Sequence, residues 1–182
     1  MENSKVKVGW LKIVLGFAVC FGLRLIPFRP ANYEPIMGTV MPFSKTYGWL
    51  TGFVFSFASI AIFDLYKGAF GAWTWITALV YGLVAAGSYF FLSNRDSSPV
   101  NYLACAFVGT IAYDGLTGLT IGPLLFGQTL SEAFIGQIPF TAMHLMGNGI
   151  FALTISPLIA KWVVENRAFD IDMIASRIFK RA

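Results

Sequence analysis

The sequence predicts an all-α, polytopic membrane protein with six spans, and three observations carry that prediction. Of 182 residues, 57% are hydrophobic and 12% charged, about half the roughly 25% charge of a soluble domain. Mean hydropathy is +0.69, and 18 Phe, 7 Tyr and 5 Trp raise the aromatic share to 16%. The apolar residues fall in runs near the roughly 20 residues that cross a bilayer, broken by Pro, Gly and charge. A water-soluble domain this small lacks the interior to bury such surface. Disorder is excluded by the same composition. The length fits one membrane domain over residues 1–182 and leaves no room for a nucleotide-hydrolysing domain.

The first span is expected from about Gly9 to Ile26, ending at Pro27 and Pro30. Lys5, Lys7 and Lys12 ahead of it mimic a secretory leader, but no small-x-small cleavage site closes the stretch, so it reads as a retained helix. The second, about Glu34 to Tyr47 with Pro42 inside, is too short to cross unaided and needs support from neighbouring backbone. The third runs from about Gly48 to Leu65 and the fourth from about Ala72 to Leu92. Ser93-Asn94-Arg95-Asp96-Ser97-Ser98-Pro99 is the clearest loop. The fifth covers about Tyr102 to Leu119 and the sixth about Pro139 to Val164, with a Gly-containing loop and a short helix expected over Thr120–Gln137. The tail from Arg167 to Ala182 carries Ile171, Ile174 and Ile178 at helical spacing beside Arg177, Lys180 and Arg181, and reads as an amphipathic inner-leaflet helix or a frayed basic end.

Charge orients this layout. With the N-terminus inside, Lys5, Lys7, Lys12, Lys45, Arg95, Lys161, Arg167, Arg177, Lys180 and Arg181 lie inside, while Arg24, Arg29 and Lys67 lie outside. That bias predicts both termini inside. The net charge of +4 therefore reports topology, and no basic patch with interleaved aromatics points to nucleic acid. Cys20 and Cys105 each sit in an apolar run, which predicts small packing residues and neither a disulfide framework nor a metal site.

Ionisable groups within spans are costly and mark candidate sites. Glu34, Asp64, Asp114, Gln137 and His144 all fall toward the outer side. Gln137, Thr141, His144 and Asn148 share an arc of about 60° at about 100° per residue, a polar stripe on an apolar helix. Thr110, Asp114 and Thr117 form a second stripe, and Thr74, Thr77 and Tyr81 a third, with Trp73 and Trp75 nearby. Such stripes face protein, water or ligand, and interhelical hydrogen bonding alone accounts for some of them. Arg24, Arg29 and Lys67 read as headgroup anchors, with Arg24 also within reach of Glu34. Ser88 and His144 lie toward opposite ends, so they do not form a nucleophile and base. The small-x-x-x-small pairs Gly16/Cys20 and Ala18/Gly22, and the Gly48/Gly52/Ser56 ladder, permit close helix contact.

The chain resembles the substrate-binding S components of energy-coupling-factor (ECF) transporters. The resemblance rests on size, six spans with both ends inside, and these blocks: Glu34-Pro35-Ile36-Met37, Pro42-Phe43-Ser44-Lys45, Tyr47-Gly48-Trp49-Leu50-Thr51-Gly52, Asp64-Leu65, Asp114-Gly115-Leu116-Thr117-Gly118, and Gln137-Ile138-Pro139-Phe140-Thr141 followed by His144 and Gly147-Asn148. It implies a capture subunit, not itself an enzyme and without a cofactor, in a prokaryotic cytoplasmic membrane. Such a subunit imports a vitamin-like small molecule with a transmembrane coupling subunit and two ATPases. The expected ligand contacts are Asp114, His144, Asn148, Thr141, Gln137, Asp64, Trp73 and Glu34, with Trp75 as a further aromatic contact and the loop carrying Arg29 and Glu34 closing over them. The expected docking face is Ala18 and Gly22, a relaxed form of the family's Ala-x-x-x-Ala. An intramembrane metal-dependent hydrolase using Asp64, Asp114 and His144, and a ligand-free structural membrane protein, are the alternatives.

Overall fold

The computed structural model describes residues 9–28 and 32–179, the side chains at 175 and 177–179 excepted. Seven α-helices follow in order: α1 (Trp10–Arg24), α2 (Pro35–Tyr47), α3 (Trp49–Tyr66), α4 (Ala72–Leu92), α5 (Pro99–Phe126), α6 (Leu130–Ile159) and α7 (Ile171–Phe179). A π-helical turn, Ala160–Val164, prolongs α6, and a 3₁₀ turn, Arg167–Phe169, precedes α7. No strand occurs among the described residues. By length and composition four helical segments can cross a membrane: α3, α4, α5, and α6 with its π turn. The expectation of six crossings thus stands at four on those criteria.

The short α2 is the core of the bundle. Every residue from Pro35 to Ser44 is buried, which is how a 13-residue helix persists among longer ones. Pro42 lacks an N–H, so the Gly38 carbonyl one turn back loses its helical donor. Ser156 of α6 replaces it, donating its hydroxyl to Gly38 O at 2.6 Å. On the other side Ser44 donates to the Ala85 carbonyl of α4 at 2.9 Å. Gly52 of α3 makes that approach possible, since a Cβ there would stand 2.7 Å from the same carbonyl. Of the expected Gly48/Gly52/Ser56 ladder, Gly52 and Ser56 are buried within the bundle, whereas a Cβ at Gly48 would meet nothing within 4 Å.

α1 buries Lys12, Gly16, Cys20 and Arg24, one residue per turn, against this core. Gly16 and Cys20 face inward, whereas Ala18 and Gly22 face outward, with nothing within 4 Å of a Cβ at Gly22. Both cysteines are free and buried, as the sequence implied. Lys12 departs from its expected place among exposed inner-side charges. Its ammonium donates to Val164 O at 2.8 Å and pairs with Asp170 at 2.7 Å. That contact ties α1 to the π turn and to the segment before α7, where Ile171 and Met173 are exposed.

The expected loop over Thr120–Gln137 is replaced by helix. α5 continues to Phe126 and stops at Gly127, whose φ of 67° is the left-handed cap that glycine supplies. α6 begins one residue beyond Thr129, where the Thr129 hydroxyl accepts from Glu132 N and the Glu132 carboxylate accepts from Thr129 N. This reciprocal cap starts the helix nine residues before the expected boundary at Pro139. Lys5 and Lys7, Arg29, and Lys180 to Arg181 lie outside the described residues.

Candidate functional site

Two long helices carry the polar stripes, and their packing brings the stripes face to face. Asp114 and Thr110 on α5 are 1% and 2% exposed, and His144 and Asn148 on α6 are 2% each. His144 Nδ1 lies 2.7 Å from Asp114 Oδ1. Facing a carboxylate, Nδ1 carries a ring proton and donates it. One turn further along, Asn148 Nδ2 donates to Thr110 Oγ1 at 2.8 Å. Three side-chain atoms of this cluster, Asp114 Oδ2, His144 Nε2 and Asn148 Oδ1, are buried without a hydrogen-bond partner. Buried polar groups are normally satisfied, so each such atom calls for an explanation.

The His144 ring borders a cavity of about 270 Å³, lined also by Arg24, Asn32, Glu34, Asp64, Trp73, Thr77, Tyr81, Tyr113 and Phe140. Its rim is held by charge. Arg24 Nε meets Glu34 Oε2 at 3.1 Å, its guanidinium donates to the Ser59 carbonyl, and it lies 3.8 Å from the centre of the Phe63 ring. Arg24 is therefore no headgroup anchor. It is buried at 8% exposure and clamps the α1–α2 connection. Asp64 accepts from the buried Thr74 hydroxyl at 2.7 Å. Gly147 of α6 lets the connection lie close, since a Cβ there would stand 2.9 Å from Tyr33 Cα.

The aromatic walls are layered. Tyr113 and Phe140 each meet the His144 ring edge-on, with centroids 5.8 and 5.9 Å away. Tyr81 packs on Tyr113 at 4.6 Å. None of these three was among the expected site residues. Phe140 lies on the stripe's helix and Tyr81 on a polar face already noted, so the signal available was helical phase.

Of the expected contacts, Asp64, Trp73, Glu34 and His144 border this cavity, and Asp114 and Asn148 lie behind His144. Gln137 does not join them. It lines a neighbouring cavity of about 420 Å³ between the C-terminal end of α5 and the N-terminal end of α6, which shares Thr77, Tyr113 and Phe140 with the first, and its amide donates to Thr141 at 3.2 Å. The upper half of the α6 stripe thus serves a different space from the lower half. Trp75 faces away, 58% exposed, packed on Phe57 and Phe70. Ser88 donates to the Ala85 carbonyl on its own helix and takes no part. The metal triad is also corrected: among the described residues no group of three His, Cys, Asp or Glu is placed to hold a metal, and Asp64 is engaged by Thr74.

No family profile and no solved structure matches the chain. It is similar to NADH-ubiquinone oxidoreductase chain 6 of Fratercula cirrhata, 27% identical over 157 residues that cover 82% of this chain and 84% of that protein. That finding overturns the resemblance to S components. The protein matched is a chain of an oxidoreductase, so the ECF importer function, the vitamin-like substrate, and the coupling and ATPase partners are withdrawn. The blocks that carried the resemblance consist largely of Gly, Pro and aromatic residues, which membrane helices of many kinds share. The comparison supports neither the hydrolase nor the ligand-free alternative. The similarity and the apolar helices together make the chain a multi-pass integral membrane protein.

Proposed function

We propose that the chain is a non-catalytic membrane subunit of a multi-chain assembly, of the oxidoreductase kind that its relative's name describes, and that its own contribution is a polar cavity holding a small molecule. The observation that carries the reading is the Asp114–His144–Asn148 cluster, with three unpartnered polar atoms and the His144 ring bordering the cavity. Stranded polar atoms among apolar helices cost free energy unless something completes them. The similarity over most of both chains supports the subunit half of the reading. The exposed Ala18 and Gly22 of α1 offer a neighbouring chain a smooth face for close approach.

Extraction in a mild detergent followed by native electrophoresis and mass spectrometry tests the subunit half. The 20.0 kDa chain should migrate with other chains, in a fraction that reduces a quinone at the expense of NADH. Ala18→Trp should release it from that fraction. A chain that runs alone from native membranes overturns the assembly. A complex without NADH-dependent quinone reduction overturns its redox character.

The orientation with both termini inside belongs to the same proposal. Lys67 and Asp96 flank the 21-residue α4, about 30 Å long at 1.5 Å per residue. A cysteine at 67 should react with an impermeant maleimide from outside intact cells, and one at 96 only after lysis. The reverse pattern would place the cavity on the inner side.

A further inference from the structure

The cavity has a chemical sign. Its cationic residue is already spent, because Arg24 is shared among Glu34, the Ser59 carbonyl and the Phe63 ring. Glu34 and Arg24 offset each other, and the Asp64 carboxylate is the further charged group of the lining. Two hydroxyl donors close to the cavity are committed. Thr74 gives its proton to Asp64, and Thr77 bonds the Trp73 and Thr74 carbonyls of its own helix. Asp114 Oδ2 and Asn148 Oδ1 remain unpartnered acceptors behind the His144 ring. A space bounded by carboxylates, lone pairs and π faces calls for N–H groups that carry positive charge.

Resting on the cavity reading above, we propose that this site recognises a small organic cation of the amidinium or protonated-amine class. Its N–H groups go to the Asp64 carboxylate, and its charged face lies against Trp73, Tyr81, Phe140 and the edge of the His144 ring. A metal ion is a poorer occupant, since the described residues gather no three ligands for one. Anions meet two carboxylates and no free cation among the lining residues.

Three planar probes of nearly equal shape separate these outcomes: benzamidine, benzamide and benzoate, each titrated at millimolar concentration against the protein in lipid nanodiscs. Binding is read by saturation-transfer NMR and by the shift in melting temperature. Benzamidine should bind and stabilise, benzamide should bind at least about tenfold more weakly, and benzoate should not bind. Asp64→Asn keeps an acceptor for Thr74 and removes the charge, and should weaken benzamidine by about tenfold, the worth of one charge-assisted contact. Benzoate binding as well as benzamidine overturns the cation class and leaves a general cavity standing. Benzamidine binding that is indifferent to Asp64→Asn places the cation elsewhere and overturns the assignment. If none of the three binds, the cavity reading falls with it.

Discussion

His144→Leu should lower stability by about 3–5 kcal/mol, the usual cost of leaving a buried charge uncompensated. Asp114 is 1% exposed, and the imidazole is the partner of its Oδ1. Removing the ring leaves a carboxylate among apolar helices. The double variant Asp114→Leu/His144→Leu should recover most of that loss, because two matched apolar groups leave nothing stranded. Asp114→Asn, which keeps an oxygen for the ring proton, should cost only about 1 kcal/mol. Melting temperatures in one detergent, arranged as a double-mutant cycle, measure the coupling. A double variant as damaged as His144→Leu would show that the two residues act separately.

Arg24→Met should cost about 3 kcal/mol, toward the lower end of the same range because the Glu34 side chain is 23% exposed and water reaches it. It removes three contacts together: the Glu34 pair, the Ser59 carbonyl and the Phe63 face. Arg24→Lys keeps the charge but cannot present a planar fork to all three, and should restore less than half of the loss. Glu34→Gln in the Arg24→Met background should recover part of it. Proteolysis of the connection between α1 and α2 gives a second readout, since that segment loses its clamp. Equal cleavage of the variant and the parent would show that something other than Arg24 holds it.

How far the sequence disclosed this arrangement differs from element to element. α3 and α4 are legible because each is an unbroken apolar run closed by Lys67-Gly68 or by Ser93-Asn94. The polar stripes are legible because a fixed helical phase puts residues three and four apart on one face, and the structure does join Asp114 to His144 and Asn148 to Thr110. Arg24 and Glu34 pair as their proximity suggested. The α5–α6 turn is not legible from its breakers: Gly122, Pro123 and Gly136 read as loop, yet the helices take them in. The start of α6 is missed by a span begun at Pro139, which leaves the capping spacing of Thr129 and Glu132 unused. The division of the α6 stripe between two cavities is beyond any one-helix reading, because it depends on which neighbour covers each turn. Lys12 shows the same limit. Its charge argued for solvent, whereas its burial depends on Val164, 152 residues away.

The burial of α2 also bears on how the chain is made. A segment of 13 residues with a proline inside offers an insertion machine too little apolar length to release sideways as a crossing helix. The group that completes its broken turn, Ser156, lies 118 residues downstream of Gly38. During synthesis α2 therefore meets α3 and α4 first, and its broken turn is completed only when α6 arrives. Biogenesis becomes a race between that late arrival and quality-control proteases. Nascent chains arrested before about residue 156 should be degraded even though α3, α4 and α5 are complete. Substitutions at Ser156 should lower the amount of protein that reaches the membrane more than they weaken the protein that does.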